Sequence, residues 1–394
     1  MVNPKMLGLG TARSVIRELF EYGKQRTAVV GAENVFDFSI GNPSVPSPAS
    51  VNESAIRLLN ESDPVTLHGY TSAGGDNGVK ERIAASLNRR FGMDYTPDNL
   101  YMTVGAAAAL CCALKGLCCP GDEFIVFAPY FPEYKVFIEG AGGTMRLIPA
   151  QIEDFQIDFK ALEETIGAST KAVLVNSPNN PSGIVYSEET IRKLSDLLSV
   201  KSAEYGHPIY IIADEPYREI VYDGTVVPYI PKYYRNTIVC YSWSKSLSVP
   251  GERIGYVAVP SAMEDWEEVY AAVAGGGRAI GYVNAPSLMQ RVAAACCDDT
   301  ADISVYAENR RLLLDGLRSM GFTCVEPGGT FYLFPRTLEP DDVAFSERAK
   351  KHDILIVPGS GFGAPGHVRI SYCVPTERIR RALPVFEALA KEYR

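Results

Sequence analysis

Seven short apolar runs between residues 100 and 259 constrain the fold of this chain more than any other feature. They are Leu100–Val104, Glu123–Ala128, Thr144–Ile148, Ala172–Asn176, Ile209–Ala213, Thr237–Tyr241 and Gly255–Val259. Amphipathic stretches separate them, so the pattern predicts an α/β fold whose large domain holds a mostly parallel seven-stranded sheet sandwiched by helices. Unbroken rather than alternating apolarity marks strands covered on both faces. In such sheets ligands bind beyond the carboxyl ends of the strands. Five of the runs are followed, at that end, by polar or glycine-rich clusters: Gly105–Ala109, Pro129–Tyr134, Asn176–Gly183, Asp214–Tyr217 and Ser242–Lys245. Five clusters at equivalent ends of one sheet predict one shared cleft.

The remainder reads differently. Residues 261–320 read as helical throughout, with a break at Gly275-Gly276-Gly277, and then strands at Phe331–Phe334, Ile354–Val357 and His367–Tyr372 interleave with helices at Asp341–Lys351 and Pro375–Tyr393. This predicts a smaller α+β domain. The expected division is an N-terminal arm over 1–45 packing with that domain, a large domain over 46–285, and an interdomain helix with the small domain over 286–394. A chain of 394 residues, 46% hydrophobic and 22% charged, has material for two such cores.

Composition narrows the function classes. A net charge of -9 without a basic run argues against a nucleic-acid surface. No window reaches membrane-spanning length without charges, and the start lacks a leader pattern, so the expectation is a cytoplasmic protein with no membrane partner. Nine cysteines, an odd count, lack zinc-ligand spacing and read as reduced structural thiols. The four histidines, His68, His207, His352 and His367, form no local motif, and no metal is assigned.

The run from Ser242 to Gly255, SWSKSLSVPGERIG, sets Lys245 among hydroxyls with Arg253 eight residues on. An amine attacks a carbonyl only after losing its proton, so a reactive lysine benefits from desolvation or a neighbouring cation. Arg253 can provide that charge and, with Ser242 and Ser244, can hold a phosphate. A phosphorylated aldehyde, pyridoxal 5'-phosphate, fits such a site. Asp214 ends the hydrophobic run Ile211-Ile212-Ala213, where an unpaired carboxylate is costly, and a protonated pyridine nitrogen is the cation that would meet it.

The whole pattern resembles the lysine signature of the class I and II aminotransferases, fold-type I pyridoxal phosphate enzymes, and similar motifs extend over nearly the whole chain. The resemblance implies that the cofactor is held covalently by Lys245, with pyridoxamine 5'-phosphate as its aminated form. In it, Asn180 of Asn179-Asn180-Pro181-Ser182-Gly183 and Tyr217 of Asp214-Glu215-Pro216-Tyr217 contact the cofactor's phenolic oxygen. Gly105, Ala106 and Ala107 form a backbone phosphate cup at a helix start, and Phe131 stacks on the pyridine ring. This cup carries only methyl side chains where many relatives have polar ones. Tyr70 matches a tyrosine reaching the phosphate from the partner subunit, which implies a homodimer with shared active sites. Arg369, in His367-Val368-Arg369-Ile370, matches the arginine that clamps the substrate α-carboxylate, and Gly41 matches a glycine of the segment closing over it. Ser44 follows Pro43 where an acidic residue is common. Arg278 lies in a region where some aspartate aminotransferases place an arginine for the distal carboxylate, although its spacing to Asn284 is not identical.

The expected activity is ping-pong transamination between an L-amino acid and a 2-oxo acid, with aspartate and 2-oxoglutarate the first choice. Alanine or aromatic aminotransferases and a carbon–sulfur β-lyase use the same machinery and stand as alternatives. A noncatalytic regulator with an aminotransferase-like sensor would need a DNA-binding segment, and the sequence before the first motif has no pattern of one.

Overall fold

A computed structural model describes residues 2–11 and 15–394. Its centre is a seven-stranded sheet, ordered in space as Leu100–Thr103, Gly255–Ala258, Thr237–Ser242, Tyr210–Asp214, Thr170–Asn176, Glu123–Phe127 and Thr144–Ile148. Gly255–Ala258 is antiparallel to both neighbours, and the other adjacent pairs are parallel. The seven runs read from the sequence are therefore the seven strands of one sheet. The antiparallel strand matters for the site, because its amino end lies beside the carboxyl ends of its neighbours. Gly255 is in register with both Thr103 and Ser242.

The five strands Leu100–Thr103, Gly255–Ala258, Thr237–Ser242, Tyr210–Asp214 and Thr170–Asn176 are buried along nearly their whole length. Thr144–Ile148 departs from the expectation of burial on both faces. As an edge strand with a single strand neighbour it leaves Thr144, Arg146 and Leu147 exposed. Two hydrophobic clusters cover the sheet. One includes Ile125, Val173, Ile211 and Val239, and the other Val126, Leu174, Ile212 and Cys240, so alternate residues of the same strands feed opposite faces.

The expected break at Gly275-Gly276-Gly277 does not occur. A single helix, Trp266–Ile280, runs through it, and the breaks fall later, before Ser287–Ala295 and before Ser304–Ser319. Packing explains the glycines. A Cβ at Gly276 would lie 2.5 Å from the Cys112 carbonyl oxygen, and one at Gly277 would run into the Tyr101 ring. Residues without side chains let this helix lie directly on the alanine-rich helix Ala106–Leu117, and that gain outweighs the intrinsic cost of glycine in a helix.

A second core gathers Phe38, Leu313, Phe331, Phe345, Ile370 and Phe386 around a three-stranded sheet ordered Val357–Pro358, Val368–Ser371, Tyr332–Leu333. The N-terminal segment joins it by packing and by strand pairing, since Phe36 and Phe38 lie in this core and Phe36–Asp37 runs parallel to Ile354–Leu355. Before that strand lies the helix Val15–Val30. It is anchored by buried Leu19 and Gly23 and by Arg26, whose Nε donates to Asp353 Oδ1 at 2.6 Å. Among the described residues no helix is long and apolar enough to cross a membrane. All nine cysteines are free thiols, and only Cys119 is exposed.

Candidate active site

A cavity of about 490 Å³ opens at the carboxyl ends of the central strands. All five polar clusters reach it: Ala106 and Ala107, Phe131, Asn176 and Asn180, Asp214 and Tyr217, and Ser242, Ser244 and Lys245. The smaller sheet contributes Tyr332 and Arg369, and the N-terminal segment contributes Gly41.

Lys245 stands on the short helix Trp243–Ser246, which starts directly at the end of its strand because Ser242 caps it, accepting from the Ser244 N–H at 3.0 Å. The Ser242 and Ser244 hydroxyls are 2.5 Å apart. A 3-10 turn over Pro250–Glu252 then returns the chain, and Arg253, at φ 51°, takes a left-handed conformation just before the antiparallel strand. Its Nη1 donates to Ser244 Oγ at 3.5 Å and to the Pro250 carbonyl at 3.0 Å. The Lys245 ammonium donates to the Gly41 carbonyl at 2.8 Å. Its pKa is lowered to about 8, chiefly by burial, with Cys373 opposing the shift and Arg253 and Arg369 adding to it. Desolvation, more than the arginine emphasised by the sequence, activates this amine.

Gly105, at φ 89°, precedes the helix Ala106–Leu117, and no side chain caps that helix start. A Cβ at Gly105 would fall 2.6 Å from Arg253 Nη2, so the glycine makes room for a guanidinium beside free helix-start amides. Two serine hydroxyls, an arginine and uncapped amides at one end of the cavity form a set of anion donors.

Asp214 is 5% exposed. The Tyr134 phenol donates to its Oδ2 at 2.5 Å, while Oδ1 has no hydrogen-bond partner. Burial raises its pKa to about 7, the Tyr134 hydrogen bond opposes this, and Glu215 adds to it. Asn176 spans the neighbouring strands, donating from Nδ2 to the Asp214 carbonyl at 2.9 Å and accepting from the Asn180 N–H at 2.7 Å. Tyr217 is buried with its hydroxyl 3.1 Å from that of Tyr332.

Arg369 is 2% exposed, and its partners are more numerous than the sequence implied. Nη1 donates to Asn180 Oδ1 at 3.1 Å and Nη2 to the Ser39 carbonyl at 2.6 Å. The guanidinium lies between the Tyr332 and Phe362 rings, 4.6 and 5.0 Å from their centroids. Only Nε lacks a partner. A planar cation fixed in this way retains donor capacity for an incoming carboxylate.

An unpaired carboxylate oxygen, a lysine of lowered pKa and an anion-binding end are the requirements of a phosphorylated pyridine aldehyde, and the donor set fits pyridoxal phosphate.

Tyr70 and Arg278 do not line this cavity. Tyr70 is 89% exposed, and Arg278 is exposed in the last turn of Trp266–Ile280. The two segments are nevertheless tied together, since Asn284 Nδ2 donates to the Thr71 carbonyl at 3.1 Å and to its hydroxyl at 3.0 Å. Several residues that line the cavity or hold its lining groups were not singled out from the sequence. Tyr134 and Tyr332 sat inside recognised motifs without a role. Ile16, Arg17 and Phe20 carry no local signal and reach the cavity only through the docking of their helix.

Residues 33–386 match the family described as Aminotransferase class I and II. An aspartate aminotransferase of Thermotoga maritima is 32% identical over 369 residues, covering 92% of this chain and 93% of the relative. A probable aspartate/prephenate aminotransferase of Thermus aquaticus is 32% identical over 357 residues, covering 88% and 89%. Among solved structures, an amino transferase from Eubacterium rectale superposes with a TM-score of 0.98 at 59% identity, covering 100% of this chain and 99% of that one. The Thermus thermophilus aspartate aminotransferase with maleate superposes at 0.86 and 28% identity, covering 99% and 100%.

Proposed function

The chain belongs to the class I and II aminotransferases, and we propose that it exchanges the amino group of aspartate with 2-oxoglutarate through pyridoxal 5'-phosphate held covalently by Lys245. Its relatives named for aspartate support the substrate, and one cavity supports the chemistry: it gathers an amine of lowered pKa, an unpaired buried carboxylate oxygen and a fixed arginine.

Each residue has a distinct task in this reading. Ser242, Ser244, Arg253 and the amides after Gly105 would hold the phosphate. Asp214 Oδ1 would meet the protonated pyridine nitrogen, Phe131 would cover the ring, and Asn180 and Tyr217 would donate to the phenolic oxygen. Pyridoxal phosphate supplies a sink for the electron pair left when the substrate loses its α-proton. Arg369 orients the substrate by its α-carboxylate. Lys245 Nζ would take that proton and give it back from the same position, acting as base and then as acid.

Homodimeric assembly with Tyr70 and Arg278 serving the partner's site belongs to the same proposal, supported by their exposure and by the link between their segments. So do cytoplasmic localisation, the pyridoxamine form as the second state, and division into an arm over 1–45, a cofactor-binding domain over 46–285 and a small domain over 286–394.

The decisive measurement mixes purified holoenzyme with single amino acids and follows conversion of the cofactor absorbance to the pyridoxamine form. Aspartate should convert it fastest, and Lys245→Ala should abolish both conversion and covalent capture. Release of pyruvate and thiol from cystathionine, without such conversion by aspartate, would instead assign a β-lyase.

A further inference from the structure

We propose that the Tyr241 hydroxyl positions Lys245: joined to Glu219 on one side and Ser246 on the other, it fixes the short helix Trp243–Ser246 against the segment that carries Asp214 and Tyr217. This rests on the reading of Lys245 as the amine that moves the substrate proton.

The short helix has two differently used sides. Ser244 and Lys245 line the cavity, whereas Trp243 and Ser246 are buried and do not. Strand alternation sends Tyr241 to the side of Trp243, since Cys240 and Tyr241 feed the cores on opposite faces of the sheet. The Tyr241 and Trp243 rings meet edge to face with centroids 5.4 Å apart.

The Tyr241 hydroxyl lies 2.8 Å from Glu219 Oε2 and 2.9 Å from Ser246 Oγ. Glu219 Oε1 accepts from Arg90 Nη2 at 2.8 Å, so this carboxylate is the stronger acceptor and takes the one phenolic proton. Ser246 must then donate to Tyr241. Burial, with Glu219 next, holds the Tyr241 pKa well above its ordinary value against the opposing charge of Arg218, so the phenol keeps the proton it donates.

The far end of the chain is equally fixed. Glu219 follows Arg218, which is buried with its Nε donating to Glu215 Oε2 at 2.5 Å and its guanidinium 4.7 Å from the Tyr241 ring centroid. In the stretch 214–219, Asp214 and Tyr217 line the cavity while Glu215, Arg218 and Glu219 do not. In the stretch 241–246, Lys245 lines it while Tyr241 and Ser246 do not. The Tyr241–Glu219 hydrogen bond joins the two stretches behind the cavity. A base that takes a proton and gives it back from one position depends on how its backbone is placed relative to the groups holding the reactants.

The test uses Tyr241→Phe, Ser246→Ala and the double variant, none of which changes a cavity-lining side chain. In the apoenzyme, the Leu247 amide, which donates to the Trp243 carbonyl at 3.1 Å, should exchange its hydrogen about 10-fold faster in each variant. In the holoenzyme, kcat for aspartate should fall about 10-fold with KM changed by less than about twofold. The isotope effect on kcat with α-deuterated aspartate should be larger than in wild type. The double variant should match the single ones, because the same link is broken. Lower stability in denaturant with kcat and the isotope effect unchanged would overturn the proposal, by reducing the chain to a scaffold. Additive losses in the double variant would also overturn it, by separating the two hydroxyls. Undiminished turnover in Lys245→Ala would instead remove the reading of the lysine itself, whatever the Tyr241 and Ser246 variants do.

Discussion

The Tyr134 phenol donates to Asp214 Oδ2 across 2.5 Å and leaves Oδ1 without a partner, so one buried tyrosine divides the two oxygens of one carboxylate between two tasks. The hydrogen bond opposes the rise in the Asp214 pKa caused by burial. Tyr134→Phe removes that opposition and raises the carboxyl pKa further. Only the ionised carboxylate attracts a pyridinium, so affinity for pyridoxal phosphate should weaken by about 10-fold, and its loss on acidification should begin at a higher pH than in wild type. Equilibrium titration of apoenzyme with the cofactor across pH 5 to 9 measures both effects.

Asp214 also makes the apoenzyme sensitive to pH in a direction unusual for a carboxylate. Its folded pKa of about 7 lies above the ordinary value of 3.8. Between these values the folded chain holds a proton that the unfolded chain has lost, so this contribution to stability is full at low pH and is lost as pH rises toward 7. Asp214→Asn should therefore stabilise the apoenzyme at pH 8, by at most on the order of 4 kcal/mol, with little effect at pH 4, while cofactor binding is impaired. Urea melts of the two apoproteins at both pH values give the comparison.

The lowered Lys245 pKa predicts a kinetic profile. Covalent capture of pyridoxal phosphate needs the neutral amine, so the capture rate of the apoenzyme should rise with pH and level off above about 8. Stopped-flow absorbance at constant ionic strength reads this directly. A rate still climbing through pH 10 would show that burial does not activate the amine.

Gly276→Ala separates helix propensity from packing. Propensity alone favours alanine by about 1 kcal/mol. The new methyl would meet the Cys112 carbonyl at 2.5 Å, and that atom belongs to a packed helix that cannot turn aside. We expect net destabilisation of about 1–3 kcal/mol in denaturant melts, whereas Gly275→Ala, which meets nothing within 4 Å, should be neutral or stabilising.

The glycine run shows why part of the fold was hidden in the sequence. Three consecutive glycines favour a break locally, and only the neighbouring helix explains their place inside Trp266–Ile280. The short apolar runs are the opposite case. Burial on two faces leaves a compositional mark in the inner strands, and all seven strands, the exposed edge strand Thr144–Ile148 included, are readable within one or two residues at each end.

The mostly parallel sheet, the carboxyl-end position of the cleft and the chemistry of the residues at the strand ends are legible in the chain alone, because strand burial and turn chemistry are local properties. Which side chains meet at the site depends on how distant segments pack. Tyr134 acquires its role by facing a strand 80 residues away, and Tyr332 by meeting Tyr217 and Arg369. Contacts of this kind depend on packing between distant segments, and neither spacing nor composition records them.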